Sequence, residues 1–333
     1  MKEPLVSIVI PAYCHEKYIE SCLESVCMQT YRNIEVIIFD DNSSDNTFEI
    51  VQHYKEKLEK RFDRVVCHKN PQNMGVVKNE NEMIKLCRGK YIKSIASDDM
   101  LMKNAIEDLV EYFEAHTEYD IIFSNALYCD ETEKYPLNEE KKYKYVYEKK
   151  PYLQMNIMQQ LYEYNFIAAP TVLFKKDTFE KYGLYDEEFT IEDWEYWLRI
   201  SESGKVGYCD TVTVAYRIVG QSLSHFTNND AGRRRLKNMY NNQLKILDKY
   251  KYSTKISAEK GYENLFNRFV HEAIDINYTE FLEELLYEVK NKKIKLNLET
   301  QVKYIAYKFH FLRTIQKIKR KLGLETVEDY KAK

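Results

Sequence analysis

The stretch Lys90-Tyr91-Ile92-Lys93-Ser94-Ile95-Ala96-Ser97-Asp98-Asp99 constrains this chain most. It reads as a buried strand that stops on two adjacent carboxylates. A strand among apolar neighbours has no use for acids, so an acid pair at its C-terminal end marks a site. In open α/β sheets ligands bind beyond the carboxyl ends of the strands. Two neighbouring carboxylates raise one another's pKa unless a cation sits between them. Hard oxygen ligands of this kind suit Mg2+ or Mn2+, which keep several waters and complete their shell with phosphates. Asp is also a favoured helix cap, and Met100-Leu101-Met102-Lys103 could open a helix. Taken alone, the pair reads equally well as that cap.

The rest of the chain supplies strands to set beside this one. Val6 to Ile10, Ile34 to Phe39 and Arg64 to His68 are short apolar, β-branched runs, read as strands. Between them Tyr18, Ile19, Cys22, Leu23 and Val26 recur at helical spacing. So do Phe48, Ile50, Val51, Tyr54 and Leu58, with Asp45 placed to cap them. Asn70 to Gly75 is a loop by composition, and 76–87 is helical. A helix over 104–115 follows the acid pair. Strands are expected at 120–124, 171–174 and 212–216, with a helix ending near Ser203. Strands alternating with helices predict an α/β sandwich, a mainly parallel sheet with helices on both faces. Residues 130–150 are polar and aperiodic and read as a surface excursion. From about Asp230 strand signals vanish, and helices follow near 231–249, 255–275, 278–290 and 300–322. The expected division is an α/β domain over 1–228 and a helical extension over 229–333.

A net charge of −3 gives no field that would draw nucleic acid. Seven dispersed cysteines without a CxxC pair fit reduced thiols in a cytosolic protein. The opening apolar run is too short for a signal peptide, and no run approaches the ~20 residues that span a bilayer. Basic charge concentrates near the end: residues 290–321 hold eleven Lys or Arg against one acid, Glu299. Val302, Ile305, Ala306, Phe309, Leu312, Ile315, Ile318 and Leu322 keep a helical apolar stripe through that run. Such a helix reads as binding an anionic membrane surface, or as packing on its own domain or on a second copy to form a homodimer.

Three strands end in polar clusters, at Pro11-Ala12-Tyr13, Asp40-Asp41-Asn42-Ser43 and Ser97-Asp98-Asp99. In a parallel sheet these ends share one edge. The first strand-to-helix turn has neither GxGxxG nor GxxxxGK[ST], which argues against a dinucleotide oxidoreductase or a P-loop NTPase.

The series VSIVIPAY, ESVCMQTYRNIEVIIFDDNSSDNT, NMGVVKNEN, GKYIKSIASDD and PTVLFKKDTFEKYGLYDEEFTIEDWEYWLR resembles the family-2 inverting glycosyltransferases of GT-A fold. The resemblance runs from about Leu5 to about His225. It implies hexosyl or N-acetylhexosaminyl transfer from a nucleotide-sugar donor, most often UDP-linked. The implied acceptor is a hydroxyl of a glycan or lipid-linked glycan in bacterial surface polysaccharide. The implied location is the cytoplasm, peripheral at the inner face of the membrane. By resemblance, Asp41 accepts from the base, and Pro11, Ala12 and Tyr13 wall its pocket. A carboxylate suits the imide N–H of uracil, and a tyrosine offers a stacking face. Asp98 matches the ribose-side position and Asp99 the ligand to Mg2+ or Mn2+. Asn73, Gly75 and Lys78 fall near the ribose and phosphates. Asp193 matches the general base that deprotonates the acceptor hydroxyl. Glu192 and Trp194 are expected against donor or acceptor sugar, Trp197 in the core, and Arg199 paired with the acids.

The chain departs from the family in three places. Val219 stands where many members have the His of an RxH motif, with His225 as the nearest substitute. Ala96 replaces the aspartate two residues before the acid pair, and Glu80 stands where a basic residue is common. A sugar nucleotidyltransferase is a rival, but it would want a Gly-rich basic loop after the first strand. A non-catalytic scaffold is another, and it has no need of Asp41, Asp98, Asp99 and Asp193 together.

Overall fold

The computed structural model describes residues 3–138, 141–148, 156–219 and 226–308. The chain forms two compact units, Met1–Ile157 with Asn165–Ile218, and Met158–Tyr164 with Val219–Lys333.

The first unit is built on one eight-stranded sheet. β1 (Val6–Ala12) lies between β2 (Ile34–Asp40) and β4 (Tyr91–Ser94), with β3 (Val65–Lys69) outside β2; all four run parallel. Every residue of β2 is buried, and so is all of β1 but Pro11. Parallel strands covered on both faces must be apolar throughout, which is why these runs do not alternate. The covering helices include α1 (Ile19–Cys27), α2 (Thr47–Arg61), α3 (Val76–Leu86) and α4 (Ala105–Ala115). The register aligns Ala12 with Asp40, so the polar clusters after β1 and β2 sit side by side.

Beyond β4 the sheet is mixed. β7 (Leu173–Lys175) is antiparallel to both β4 and β6 (Ile121–Cys129). β8 (Val206–Arg217) is parallel to β6, and β5 (Met100–Leu101) is antiparallel to β8. The opening stretch therefore differs from its sequence reading. The strand ends at Ser94, and Asp98 and Asp99 lie in a turn closed by Asp99 N–H to Ala96 O at 3.0 Å. Met100 and Leu101 then pair with Ala215 and Val214, so the acid pair caps no helix. An apolar dipeptide beside an open strand edge gains more from ladder bonds and burial than from starting a helix that α4 begins anyway.

β6 and β8 are longer than their apolar runs suggest. Asn125 interrupts β6 where its register with β8 shifts, and its side chain pairs with both the N–H and the C=O of Tyr147 at 3.0 Å. Part of the expected surface excursion is thereby tied down, with Val146 N–H on Ala126 O at 2.8 Å. Early in β8, Gly207 lets the Tyr119 ring pass; a Cβ there would lie 2.5 Å from it.

The second unit is helical: α5 (Ile157–Glu163), α8 (Asp230–Tyr250), α9 (Ala258–Asp275), α10 (Thr279–Asn291) and α11 (Leu298–Lys308). α5 carries no clear signal in the sequence. Its Tyr162 hydroxyl donates to Leu247 O at 3.0 Å, and Gly261 of α9 is where the Tyr162 ring fits. The four C-terminal helices stand near their expected places, except that residues 309–322 lie outside the described residues. No helix among the described residues is long and apolar enough to cross a membrane.

Candidate active site

The base-side acid is held by the loop it organises. Asp41 is almost fully buried, its N–H on Ala12 O at 2.8 Å. Its Oδ1 accepts Asn70 Nδ2 at 2.9 Å and Met74 N–H at 2.8 Å; its Oδ2 accepts Gly75 N–H at 2.8 Å. Asn70 also reaches Asn79 Oδ1 at 2.8 Å, which ties the loop to α3. Oδ2 keeps a lone pair for one further donor. Gly75 has φ +85°, a conformation that needs glycine and lets its N–H turn back to the acid. Tyr13 is 48 % exposed, Ala12 is buried and Pro11 is part-buried. Asn73 accepts Gly75 N–H through its own side chain at 3.1 Å. Asp40 is fully buried; Oδ1 accepts Ser43 N–H at 2.9 Å and Oδ2 accepts nothing among the described residues. Lys78 is exposed and lines a cavity of about 300 Å³ with Phe39, His68 and Met74; none of Asp41, Asp98 and Asp99 lines it.

The acid turn is fixed from the far strand. Arg217, at the end of β8, donates its N–H to Asp99 Oδ1 at 2.8 Å and its Nε to Asp98 O at 2.7 Å. Its Nη1 serves Asp130 O and Glu133 O, each at 2.8 Å, and its Nη2 reaches Met100 Sδ at 3.7 Å. Asp99 is buried, and Asp98 is the more open of the pair. Burial first, then the Asp98 charge, raise the Asp99 carboxyl well above its ordinary range, against the Arg217 N–H. Asp99 Oδ2 accepts nothing among the described residues. His15 approaches from the β1 side, its Nδ1 2.8 Å from Ser97 Oγ and 3.9 Å from Asp98 Oδ1. No group of three His, Cys, Asp or Glu among the described residues could hold a metal alone.

A second acid group stands at the start of α7 (Glu192–Ser203). Asp193 Oδ1 accepts Trp194 N–H at 2.7 Å, and Oδ2 accepts Asn165 Nδ2 at 3.2 Å. Glu80, on α3, is a third acid whose charge acts on Glu192. It is buried, accepts Ser94 Oγ–H at 2.6 Å, and is pushed up to about 7 by burial and by Asp193. Glu192 is raised by burial and then by Asp193 and Glu80, and Asp193 is raised by burial. Asn81, the next residue of α3, holds Tyr185 N–H and O at 3.0 Å each, steadying the loop that leads to α7. The Tyr216 hydroxyl on β8 is raised by burial and then by the Asp99, Asp98 and Asp193 charges.

One expectation changes. Arg199 does not pair with Glu192 or Asp193; it forks onto Glu195, one turn before it, and donates to Tyr182 O and Leu184 O. Glu195 is fully buried and lies four residues away on the same helix face, so it claims the guanidinium. Trp194 is only 4 % exposed, its ring packed rather than presented to solvent. Trp197 stacks on Phe174 in the core at 5.6 Å, as expected. Val219 carries no imidazole to the site, and His225 lies outside the described residues. Sequence reasoning gave no site role to Glu80, His15, Asn165, Ser94 or the Arg217 clamp. A carboxylate among the buried positions of α3 was the one available signal for Glu80.

The Glycosyl transferase family 2 model matches residues 7–183. An uncharacterized glycosyltransferase of Haemophilus influenzae is 25 % identical over 331 residues, covering 96 % of this chain and 98 % of the relative. The Escherichia coli UDP-Glc:alpha-D-GlcNAc-diphosphoundecaprenol beta-1,3-glucosyltransferase WfaP is 30 % identical, covering 66 % of this chain and 80 % of WfaP. The structure of S. aureus TarS 1-349 in complex with UDP-GlcNAc superposes with TM-score 0.56 at 17 % identity, covering 91 % of this chain and 79 % of that one. The mannosyltransferase PcManGT of Pyrobaculum calidifontis, in complex with GDP-Man and Mn2+, gives TM-score 0.56 at 13 % identity, covering 94 % and 88 %. These structural likenesses establish the fold, which is GT-A.

Proposed function

The chain belongs to glycosyl transferase family 2, and from that premise we propose a metal-dependent, inverting transfer from a UDP-sugar to a hydroxyl of a glycan or lipid-linked glycan. The setting we assign is bacterial surface polysaccharide. One observation carries the reading: Asp99, fixed through Oδ1 by the Arg217 N–H with Oδ2 left for a cation, and Asp193, oriented by Asn165 and the Trp194 N–H, give one domain both a metal-side acid and a base-side acid. WfaP is named for a UDP-glucose donor and a diphosphoundecaprenol-linked acceptor, and TarS was solved with UDP-GlcNAc, which supports this donor and acceptor class.

In this reading Asp41 Oδ2 accepts the imide N–H of uracil, and Tyr13 covers the base. Asp99 Oδ2, with no other donor, and Asp98 suit Mg2+ or Mn2+; PcManGT was solved with Mn2+. A divalent cation there supplies neutralisation of the diphosphate as it leaves. The Arg217 N–H keeps Asp99 Oδ1 occupied and so leaves Oδ2 for the cation. Asp193 takes the acceptor proton as the new bond forms on the side of the sugar opposite the leaving group. Asn165 and the Trp194 N–H orient its carboxylate. Raising a carboxylate toward the operating pH makes it a stronger base when ionised. Glu192 is left to contact donor or acceptor hydroxyls. Asp193→Asn is expected to keep UDP-sugar affinity by calorimetry while turnover falls roughly 10²–10⁴-fold. Full transfer by that variant removes the base assignment.

A further inference from the structure

Among the described residues, the helical unit carries an apolar face that its own fold leaves open. α11 is capped by Asn297, whose Oδ1 accepts Thr300 N–H at 2.8 Å. One face is anchored. Thr300 and Ala306 are buried, Lys303 reaches Asp275 at 2.6 Å, and the Tyr307 hydroxyl donates to Asn277 Oδ1 at 3.0 Å. On the other face Leu298, Val302 and Ile305 are 76 %, 49 % and 54 % exposed. At i, i+4 and i+7 they share an arc of roughly 60°, and Lys303 and Tyr307 fall on the far side of the helix. Single exposed apolar residues are ordinary, whereas three aligned along one helix form a patch that calls for an occupant.

Charge selects that occupant. Lys293, Lys295 and Lys308 are exposed on or beside α11, and residues 290–321 hold eleven Lys or Arg against one acid. A second copy meeting this face by symmetry would set like charges against each other. An acidic surface would not. Apolar side chains flanked by lysines, whose stems run alongside apolar material while the ammonium stays wet, suit the headgroup layer of an anionic bilayer. We propose that the Leu298, Val302 and Ile305 face of α11 docks on an anionic lipid surface. The docking is independent of the transferase reading, and either can fail alone.

The test uses the full chain, co-sedimented with vesicles of phosphatidylglycerol mixed with phosphatidylcholine and with vesicles of phosphatidylcholine alone. Binding is expected to the anionic vesicles only, and to weaken with added salt. The double substitution Val302→Asp with Ile305→Asp is expected to cut that binding about tenfold or more. Both positions are exposed, and an unchanged melting curve confirms that the variant folds. Lys295→Gln with Lys308→Gln, which leaves the apolar face intact, is expected to weaken binding and flatten its salt dependence. Failure of the native chain to bind anionic vesicles overturns the proposal. So does undiminished binding by the double aspartate variant. A dimer in solution that the same variant dissolves would assign the face to a second copy instead.

Discussion

Replacing Glu80 by Gln probes the acid cluster through stability as well as activity. Glu80 is buried on α3 and its carboxyl is pushed from 4.5 up to about 7, by burial and then by the Asp193 charge, against the Ser94 hydrogen bond. Between those two values the folded protein holds a proton that the unfolded chain has released. Stability from this group therefore falls as pH rises through that window, and the full cost is reached above about pH 7. At 1.36 kcal/mol per pKa unit the cost is about 3 kcal/mol. Glu80→Gln keeps the shape and the acceptor for Ser94 Oγ–H but cannot ionise. The variant is expected to gain about 3 kcal/mol over the native chain near pH 8 and less than about 1 kcal/mol near pH 5. Urea unfolding at the two pH values, with the slope checked for constancy, measures both differences. Equal gains at both pH values would refute the reasoning, as would a loss at pH 8. The variant also relieves Glu192 of one of the charges that raise its carboxyl.

Asp41→Asn sets an amide N–H against the Met74 or Gly75 N–H. It is expected to cost about 1–3 kcal/mol in urea unfolding and to weaken UDP binding by calorimetry; unchanged UDP affinity would remove Asp41 from the base pocket. Because the Asp99 carboxyl is raised, a cation must compete there with a proton. The thermal stabilisation by Mn2+ is then expected to grow from about pH 5.5 to about pH 8, and an equal shift at both would place the ion elsewhere.

Much of this protein is legible from local pattern. Buried parallel strands must be apolar on both faces, so Val6 to Ile10 and Ile34 to Phe39 announce themselves, and their order brings the polar ends of β1 and β2 together. The acids Asp41, Asp98, Asp99 and Asp193 stand out because an ionisable group at the end of an apolar run, or at a helix start, needs a reason to be there. What chain order does not carry is which distant group each acid meets. Arg217 lies 118 residues from Asp99, and only the pairing of β5 with β8 brings its N–H to that carboxylate. Glu80 looks like a polar position on a helix until Ser94 and Asp193 are found around it. Arg199 satisfies a sequence argument for pairing with Asp193, yet Glu195 is nearer and buried. Residue type and spacing thus determined the parallel strands around β1 and named Asp41, Asp98, Asp99 and Asp193. Tertiary structure decided their partners and so their protonation, because burial and contacts between distant residues set a buried carboxyl's pKa, and neither is written in its local sequence.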